Sequence, residues 1–231
     1  MTDNSSRPQR TRTLVTEDLL LTLFQPSSGT IAGENILFYV LAGGVLIDLA
    51  ESGGAEIEDA GLRGTLVRAT GERPEDELLR PMWDYISQKP RGVQGVLAAN
   101  GPTLRTPVLE RLIERGDLRR VNKRVLGLFP SSALLDGESG RRTELVTSMR
   151  AVLVDGAEPT ARVAALTALV SASGALPVFH PEIPWSSATA ERAKTLERGD
   201  MAAGAAAAAV TRTMIAVVTN SLIASAVAAN R

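Results

Sequence analysis

Hydrophobic residues recur at intervals of three and four along most of the chain, and short polar, proline or glycine stretches separate these runs. This spacing places apolar side chains on one side of a helix, where they pack into a core. The pattern predicts helices in the segments 16–24, 33–52, 75–88, 106–115, 138–154, 160–173 and 188–230. We therefore expect a mainly α-helical fold.

Residues near the segment ends refine the predicted boundaries. Thr16 precedes acidic residues and an apolar run, so we expect its side chain to cap the first helix. Pro81 lies inside a predicted helix and indicates a kink or a break there. Pro107 suits a first helical turn, and Gly116 is placed to end the same helix.

The most apolar early segment contains a glycine pair, Gly43 and Gly44, within the sequence YVLAGGVLIDLAESGG. A dinucleotide fingerprint requires G-x-G-x-x-G, and a P-loop requires a following Gly-Lys-Ser/Thr; neither pattern is present. Glycines within a buried helix also let a second helix approach closely. We therefore predict a tight helix crossing at this pair.

The last predicted helix is also strongly apolar. A membrane-spanning helix needs about 20 predominantly apolar residues. Arg212 interrupts this segment on one side, and Asn220 and Ser221 interrupt it on the other. The sequence therefore predicts a central helix that other helices surround, and no membrane span.

Two regions alternate as strands do. The sequences AEIEDAG and GTLVRATG predict a small β-hairpin, and a second strand pair follows Gly116. Together these elements predict a single-domain helical bundle around an apolar central helix, with one or two short β-hairpins, over residues 14–231. Residues 1–13 are polar, and we expect a disordered tail there.

Composition excludes several functions. The 231 residues include no cysteine and one histidine, so a disulfide scaffold, a thiolate zinc site and a histidine metal cluster are excluded. We expect His180 to lie in a proline-rich loop. The charged residues Glu110, Arg111, Glu114 and Arg115 flank an apolar stripe and predict a solvated helix face. We identify no catalytic set, and expect a non-enzymatic protein without cofactor or metal.

A basic cluster offers candidate chemistry, because arginine donates paired hydrogen bonds to phosphate. Its members are Arg105, Arg119, Arg120, Lys123 and Arg124. The cluster could be a solvated edge, a winged-helix-like DNA contact or a site for anionic lipid headgroups. The formal net charge of −1 argues against nucleic acid.

The order of several segments resembles the Golgi phosphoprotein 3 family from about Leu14 to Asn230. These segments are TEDLLLTLF, LAGGVLIDLAESGGAEI, VLERLIERGDLRR, RVLGLFP and the final apolar helix. The resemblance implies a helical bundle with a protruding β-hairpin and no catalysis. It also implies a peripheral membrane adaptor that binds phosphatidylinositol 4-phosphate on the cytosolic face. Abundant arginine and alanine indicate a bacterial member.

The resemblance also implies site residues. Gly33 replaces the tryptophan of the family's headgroup pocket, Ala42 and Pro102 replace two of its arginines, and Arg105 retains a third. The family's self-assembly hairpin matches residues 121–132. On this basis we expect oligomer contacts from Val125, Leu126, Leu128 and Phe129.

These implications predict a cytoplasmic protein, peripheral on the inner membrane surface. Its expected partners are an anionic, phosphoinositide-like phospholipid surface, further copies of the chain and the cytoplasmic tails of membrane proteins. Two alternatives remain open. One is an oligomeric scaffold that has lost lipid binding, and the other is a winged-helix-like nucleic-acid binder.

Overall fold

Eight α-helices lie within residues 13–59, 64–125 and 129–198, which the computed structural model describes. They are α1 (Val15–Leu23), α2 (Leu37–Glu51), α3 (Arg80–Ser87), α4 (Val93–Asn100), α5 (Arg105–Glu114), α6 (Arg141–Leu153), α7 (Ala161–Ala172) and α8 (Ser187–Glu197). Short 3₁₀ turns occur at Gly101–Thr103 and Leu176–Phe179.

The strands of this part of the chain form three small antiparallel sheets. They are β1 (Phe24–Gln25), β2 (Thr30–Ile31), β3 (Ala55–Asp59), β4 (Thr65–Ala69), β5 (Arg91–Gly92), β6 (Leu118–Val125) and β7 (Phe129–Asp136). The predicted mainly α fold with short β-hairpins is therefore confirmed. The prediction was too narrow in two respects, because β1 and β2 form an additional two-stranded sheet and β5 adds a third strand beside β4.

Helices α1 and α2 form the centre of the described core. Every residue of α1 is buried, including four polar ones, and α2 is buried from Val40 through Leu49. A Cβ atom on Gly44 would lie 2.8 Å from Thr16 Oγ1 and 3.0 Å from Thr16 Cα. The tight crossing predicted at the glycine pair is thus present, and Gly44 is the point of contact.

An aspartate of α2 caps the first helix. Asp48 Oδ1 accepts a hydrogen bond of 2.7 Å from the Val15 backbone N–H, and Asp48 Oδ2 accepts one of 3.0 Å from that of Thr16. The prediction that Thr16 is the cap was wrong, because Thr16 lies in the first turn. Helix α1 begins at Val15, one residue before the predicted segment 16–24, because the Asp48 carboxylate of α2 accepts hydrogen bonds from its first free N–H groups.

Two other predicted helices are shorter in the structure. Helix α2 begins at Leu37, because Gly33 has a positive φ of 69° and a turn fills the preceding residues. Helix α3 begins at Arg80, so Pro81 lies in its first turn and no kink is needed. Of the two outcomes predicted at Pro81, a kink or a break, the structure has the break, because the helix does not extend to the N-terminal side of Arg80.

Several other boundaries follow the sequence closely. Helix α5 ends just before Gly116, which has a φ of 80°. Helix α8 forms the start of the last predicted helix, and His180 lies in the expected loop. The remainder of that helix, from residue 199, and residues 1–12 of the tail lie outside the described residues.

Buried ion pairs connect α1 with α5. The Glu17 carboxylate, 4% exposed, lies 2.8 Å from Arg115 Nη2 and 3.5 Å from Arg111 Nη1. Arg111 and Arg115 are only about one-third exposed. The prediction that they belong to a solvated face was wrong for these two arginines, because both form ion pairs with the buried carboxylate of Glu17.

A second buried network fixes the root of the β6–β7 hairpin. Arg141 donates to Asp117 Oδ2 over 2.8 Å and also to Asp18 on α1. Asp117, immediately before β6, accepts a further bond of 2.8 Å from Ser139 Oγ, which follows β7. Hydrogen bonds through Asp117 and Arg141 therefore connect both ends of the hairpin to Asp18 of α1.

Candidate functional site

The first candidate residue, Arg105, begins α5 where the preceding 3₁₀ turn packs directly on α2. A Cβ atom on Gly101 would lie 2.4 Å from the Phe38 carbonyl oxygen. Only glycine therefore permits this approach of the two backbones. It brings the start of α5 beside the start of α2.

An open cleft of about 350 Å³ lies between these two helix starts. Its lining consists of Glu34, Leu37, Phe38, Pro102 and Arg105. Arg105 Nε donates a hydrogen bond of 2.5 Å to Glu34 Oε1, and both side chains are about half exposed. The cleft thus combines apolar walls with one solvent-accessible ion pair.

The positions that the resemblance assigned to a headgroup pocket can now be located. Pro102 and Arg105 line the cleft, and Gly33 immediately precedes its acidic residue, Glu34. Ala42 is fully buried in α2. Sequence reasoning missed Glu34, although an acidic residue beside a position expected to bind an anion was a detectable signal.

The hairpin arginines do not join Arg105 in this cleft. Arg120 Nη2 donates to Glu110 Oε1 over 2.7 Å, which places Arg120 beside the middle of α5. Arg119 is 57% exposed, lies 3.4 Å from Glu138 and donates to the Asp136 carbonyl. Both arginines lie on β6, and as consecutive strand residues they point to opposite faces of the hairpin.

The remaining predicted hairpin residues are described only by their backbone or not at all. Lys123 and Arg124 continue β6, opposite Ser131 and Pro130 of β7. Val125 pairs with Phe129 at the end of the hairpin. Residues Leu126 and Leu128 lie outside the described residues. All four basic residues predicted after Gly116 therefore share one strand.

A second cleft, of about 340 Å³, lies between the starts of α3 and α5. Arg111 lines it, but two hydrogen bonds of 2.6 and 2.9 Å join this guanidinium to Asp76. Burial alone would raise the pKa of Asp76, yet the Arg111 hydrogen bonds and the Leu78 N–H bring that pKa below its ordinary value. Arg111 is therefore engaged in holding the fold.

Residues 13–59, 64–125 and 129–198 contain neither a candidate metal cluster nor a candidate membrane-spanning helix. Nowhere among them do three or more His, Cys, Asp or Glu side chains gather in a way that could bind a metal ion. Nor does any helix there have the length and apolar character needed to cross a bilayer.

Comparison with known proteins agrees with the order of segments noted in the sequence. A search of curated protein sequences gives no match. The family model for Golgi phosphoprotein 3 (GPP34), however, matches residues 15–213, which is most of the chain. This protein belongs to the Golgi phosphoprotein 3 (GPP34) family.

Proposed function

We propose that the protein is a non-catalytic, cytoplasmic protein that associates peripherally with the inner membrane surface. It binds phospholipid headgroups of an anionic membrane through an arginine-lined surface. That surface consists of Arg105, Arg119, Arg120, Lys123 and Arg124. The family match suggests a phosphatidylinositol 4-phosphate-binding adaptor. Further copies of the chain and cytoplasmic tails of membrane proteins would then be its protein partners.

The observation that carries this proposal is the exposed position of Arg105 in the cleft. Its pair with Glu34 is solvent-accessible, and such a pair contributes about 0–1 kcal/mol. A charge-assisted hydrogen bond to phosphate contributes about 1.5–3 kcal/mol. Arg105 is therefore available to a lipid phosphate at a cost of no more than about 1 kcal/mol, the contribution of its exposed pair with Glu34.

Vesicle flotation tests the proposal with a matched control. Phosphatidylcholine vesicles containing phosphatidylglycerol or phosphatidylinositol 4-phosphate should carry the protein upward at low salt, and pure phosphatidylcholine vesicles should carry less. Arg105→Ala should weaken flotation. Arg68→Ala is the control and should not weaken flotation. Like Arg105, Arg68 is half-exposed, and it lies 2.5 Å from the Glu56 carboxylate. Equal flotation with and without anionic lipid would refute the proposal.

One observation favours the alternative of an oligomeric scaffold without lipid binding. Each of Arg105, Arg119 and Arg120 already faces a carboxylate of this chain. Light scattering of the purified protein should then show an oligomer, and substitution of Val125 and Phe129 by serine should dissociate it. A scaffold of this kind would not float with any of the vesicles above.

A further inference from the structure

The cleft beside Arg105 has a charge pattern that a simple anion site would not have. Among the described residues, its lining carries one base, Arg105, and one acid, Glu34, with apolar walls from Leu37, Phe38 and Pro102. The side chains of the two charged residues are 44% and 51% exposed. Both can therefore rotate apart to admit a ligand between them.

A headgroup with several negative charges fits this pattern poorly. A phosphate that reaches Arg105 comes close to the Glu34 carboxylate, which lies 2.5 Å from the guanidinium. Like charges at such a distance repel, and the apolar walls screen them less than water does. Pro102 and the buried Ala42 supply no second cation to offset the repulsion.

A headgroup with one ammonium and one phosphate satisfies both side chains. The primary ammonium has three donors for the Glu34 carboxylate, and the planar guanidinium of Arg105 donates to two phosphate oxygens. Leu37 and Phe38 then contact the methylene carbons between the two charges. The ligand exchanges one exposed ion pair for two, and leaves no charge without a partner.

The volume of the cleft and the hydrogen-bonding chemistry of Glu34 narrow the class of ligand further. About 350 Å³ is at the low end for ligand pockets, which suits a headgroup and not a whole lipid. A choline group has no N–H to donate, so Glu34 favours ethanolamine over choline.

We propose that this cleft binds the phosphoethanolamine headgroup of a phospholipid, with Glu34 as the residue that determines specificity. The proposal rests on the proposed membrane association for the source of its ligand. The hairpin cations would attract the protein to the anionic surface, and the Glu34–Arg105 pair would select the headgroup bound in the cleft.

Isothermal titration of the full-length protein with soluble headgroups tests the specificity directly. Glycerophosphoethanolamine should bind at least tenfold more tightly than glycerophosphocholine or glycerophosphoglycerol. Glu34→Gln should abolish this preference and strengthen glycerophosphoglycerol binding, whereas Arg105→Gln should weaken all three ligands. Glu56→Gln, which removes an equally exposed paired carboxylate, should leave the preference intact.

Several results would overturn the inference. These are equal affinity for the ethanolamine and choline compounds, an unchanged preference in Glu34→Gln, or no binding of any compound. Tighter binding of free O-phosphoethanolamine than of the glycerol diester would overturn the lipid as the source. Circular dichroism checks that each variant is folded, as expected for substitutions at half-exposed positions.

Flotation separates this inference from the proposed function. Binding to phosphatidylglycerol vesicles that does not rise when phosphatidylethanolamine replaces phosphatidylcholine would overturn the headgroup assignment alone. Binding of soluble glycerophosphoethanolamine without flotation on any vesicle would overturn the membrane association alone.

Discussion

Asp48 accepts hydrogen bonds from both the backbone N–H and the hydroxyl of Thr16, at 3.0 and 2.7 Å. Together with the bond from the Val15 N–H, these contacts join the start of α1 to the last turns of α2. The same two helices cross at Gly44. One short segment of α2 therefore provides both the close approach and the cap on which the described core is built.

Asp48→Asn should destabilise the protein. An asparagine side chain has one acceptor oxygen, so its NH₂ group would face a backbone N–H that Asp48 now satisfies. An unsatisfied buried donor costs about 1–3 kcal/mol, and we expect the free energy of unfolding in urea to fall by that amount. Asp155→Asn, which alters a half-exposed pair with Arg150, should change it by less than about 1 kcal/mol.

Asp48 should also make stability depend on pH. Burial raises the pKa of its carboxyl from 3.8 to about 7, although the N–H and hydroxyl donors oppose this rise. The folded state therefore holds a proton that the unfolded chain loses near pH 4. The stabilisation is complete below that pH and disappears as the pH rises through about 7.

The measurement compares wild type with Asp48→Asn in urea at intervals from pH 4 to pH 8. The stability of wild type relative to the variant should decrease across this range. Asp76→Asn provides a contrast, because the pKa of Asp76 is lowered below its ordinary 3.8, so its contribution is nearly constant from pH 4 to pH 8 and is lost only as the pH falls below that range. A constant difference between wild type and Asp48→Asn would contradict the assignment.

Gly44→Ala tests the helix crossing. The added methyl group would meet Thr16 Oγ1 at 2.8 Å and Thr16 Cα at 3.0 Å, so the two helices must move apart. Overpacking of this kind costs about 1–3 kcal/mol, measurable as a lower urea midpoint. Gly95→Ala is the control, because Gly95 lies in α4 with open space around it. That change should stabilise by about 0.5–1 kcal/mol, and equal effects at both positions would argue against a specific crossing.

The contrast between Gly44 and Asp48 shows how far sequence reasoning reaches in this fold. Two glycines within an apolar helix indicate close packing whichever element provides the neighbour, so the crossing could be predicted. The cap on α1 could not, because it comes from a residue 32 positions away from Thr16. Local patterns suggest a local cap, and Thr16 was therefore assigned a role that a distant carboxylate performs.

The candidate site shows the same limit. A run of basic residues after Gly116 predicts an exposed strand pair, and β6 carries all of them. Which arginine faces which carboxylate depends on tertiary contacts, such as that between Arg105 and Glu34, 71 residues apart. The sequence therefore identified the basic residues. It did not identify Glu34, the acidic residue that lies beside Arg105 in the cleft.

Arg141→Gln should loosen the root of the hairpin. Arg141 joins the buried carboxylates of Asp18 and Asp117, which are 4% and 3% exposed. Its removal should cost about 3 kcal/mol, at the low end for a buried pair, because both carboxylates keep another arginine partner. The exposed pair at Arg150 gives the control, since Arg150→Gln should cost about 0–1 kcal/mol. Similar losses in the two variants would show that the network adds nothing beyond a surface pair.

The hairpin cations should contribute to membrane attraction independently of the cleft. A basic residue near an anionic surface contributes about 1 kcal/mol, so the double variant Arg119→Gln/Arg120→Gln should weaken partitioning onto phosphatidylglycerol vesicles about thirtyfold at low salt. The loss should shrink as salt screens the surface. Arg73→Gln/Arg150→Gln is the matched control, because it removes two arginines of similar exposure that also face carboxylates. If the control variant lost as much binding as Arg119→Gln/Arg120→Gln, the net charge of the protein, and not the arginines of β6, would govern its association with the vesicles.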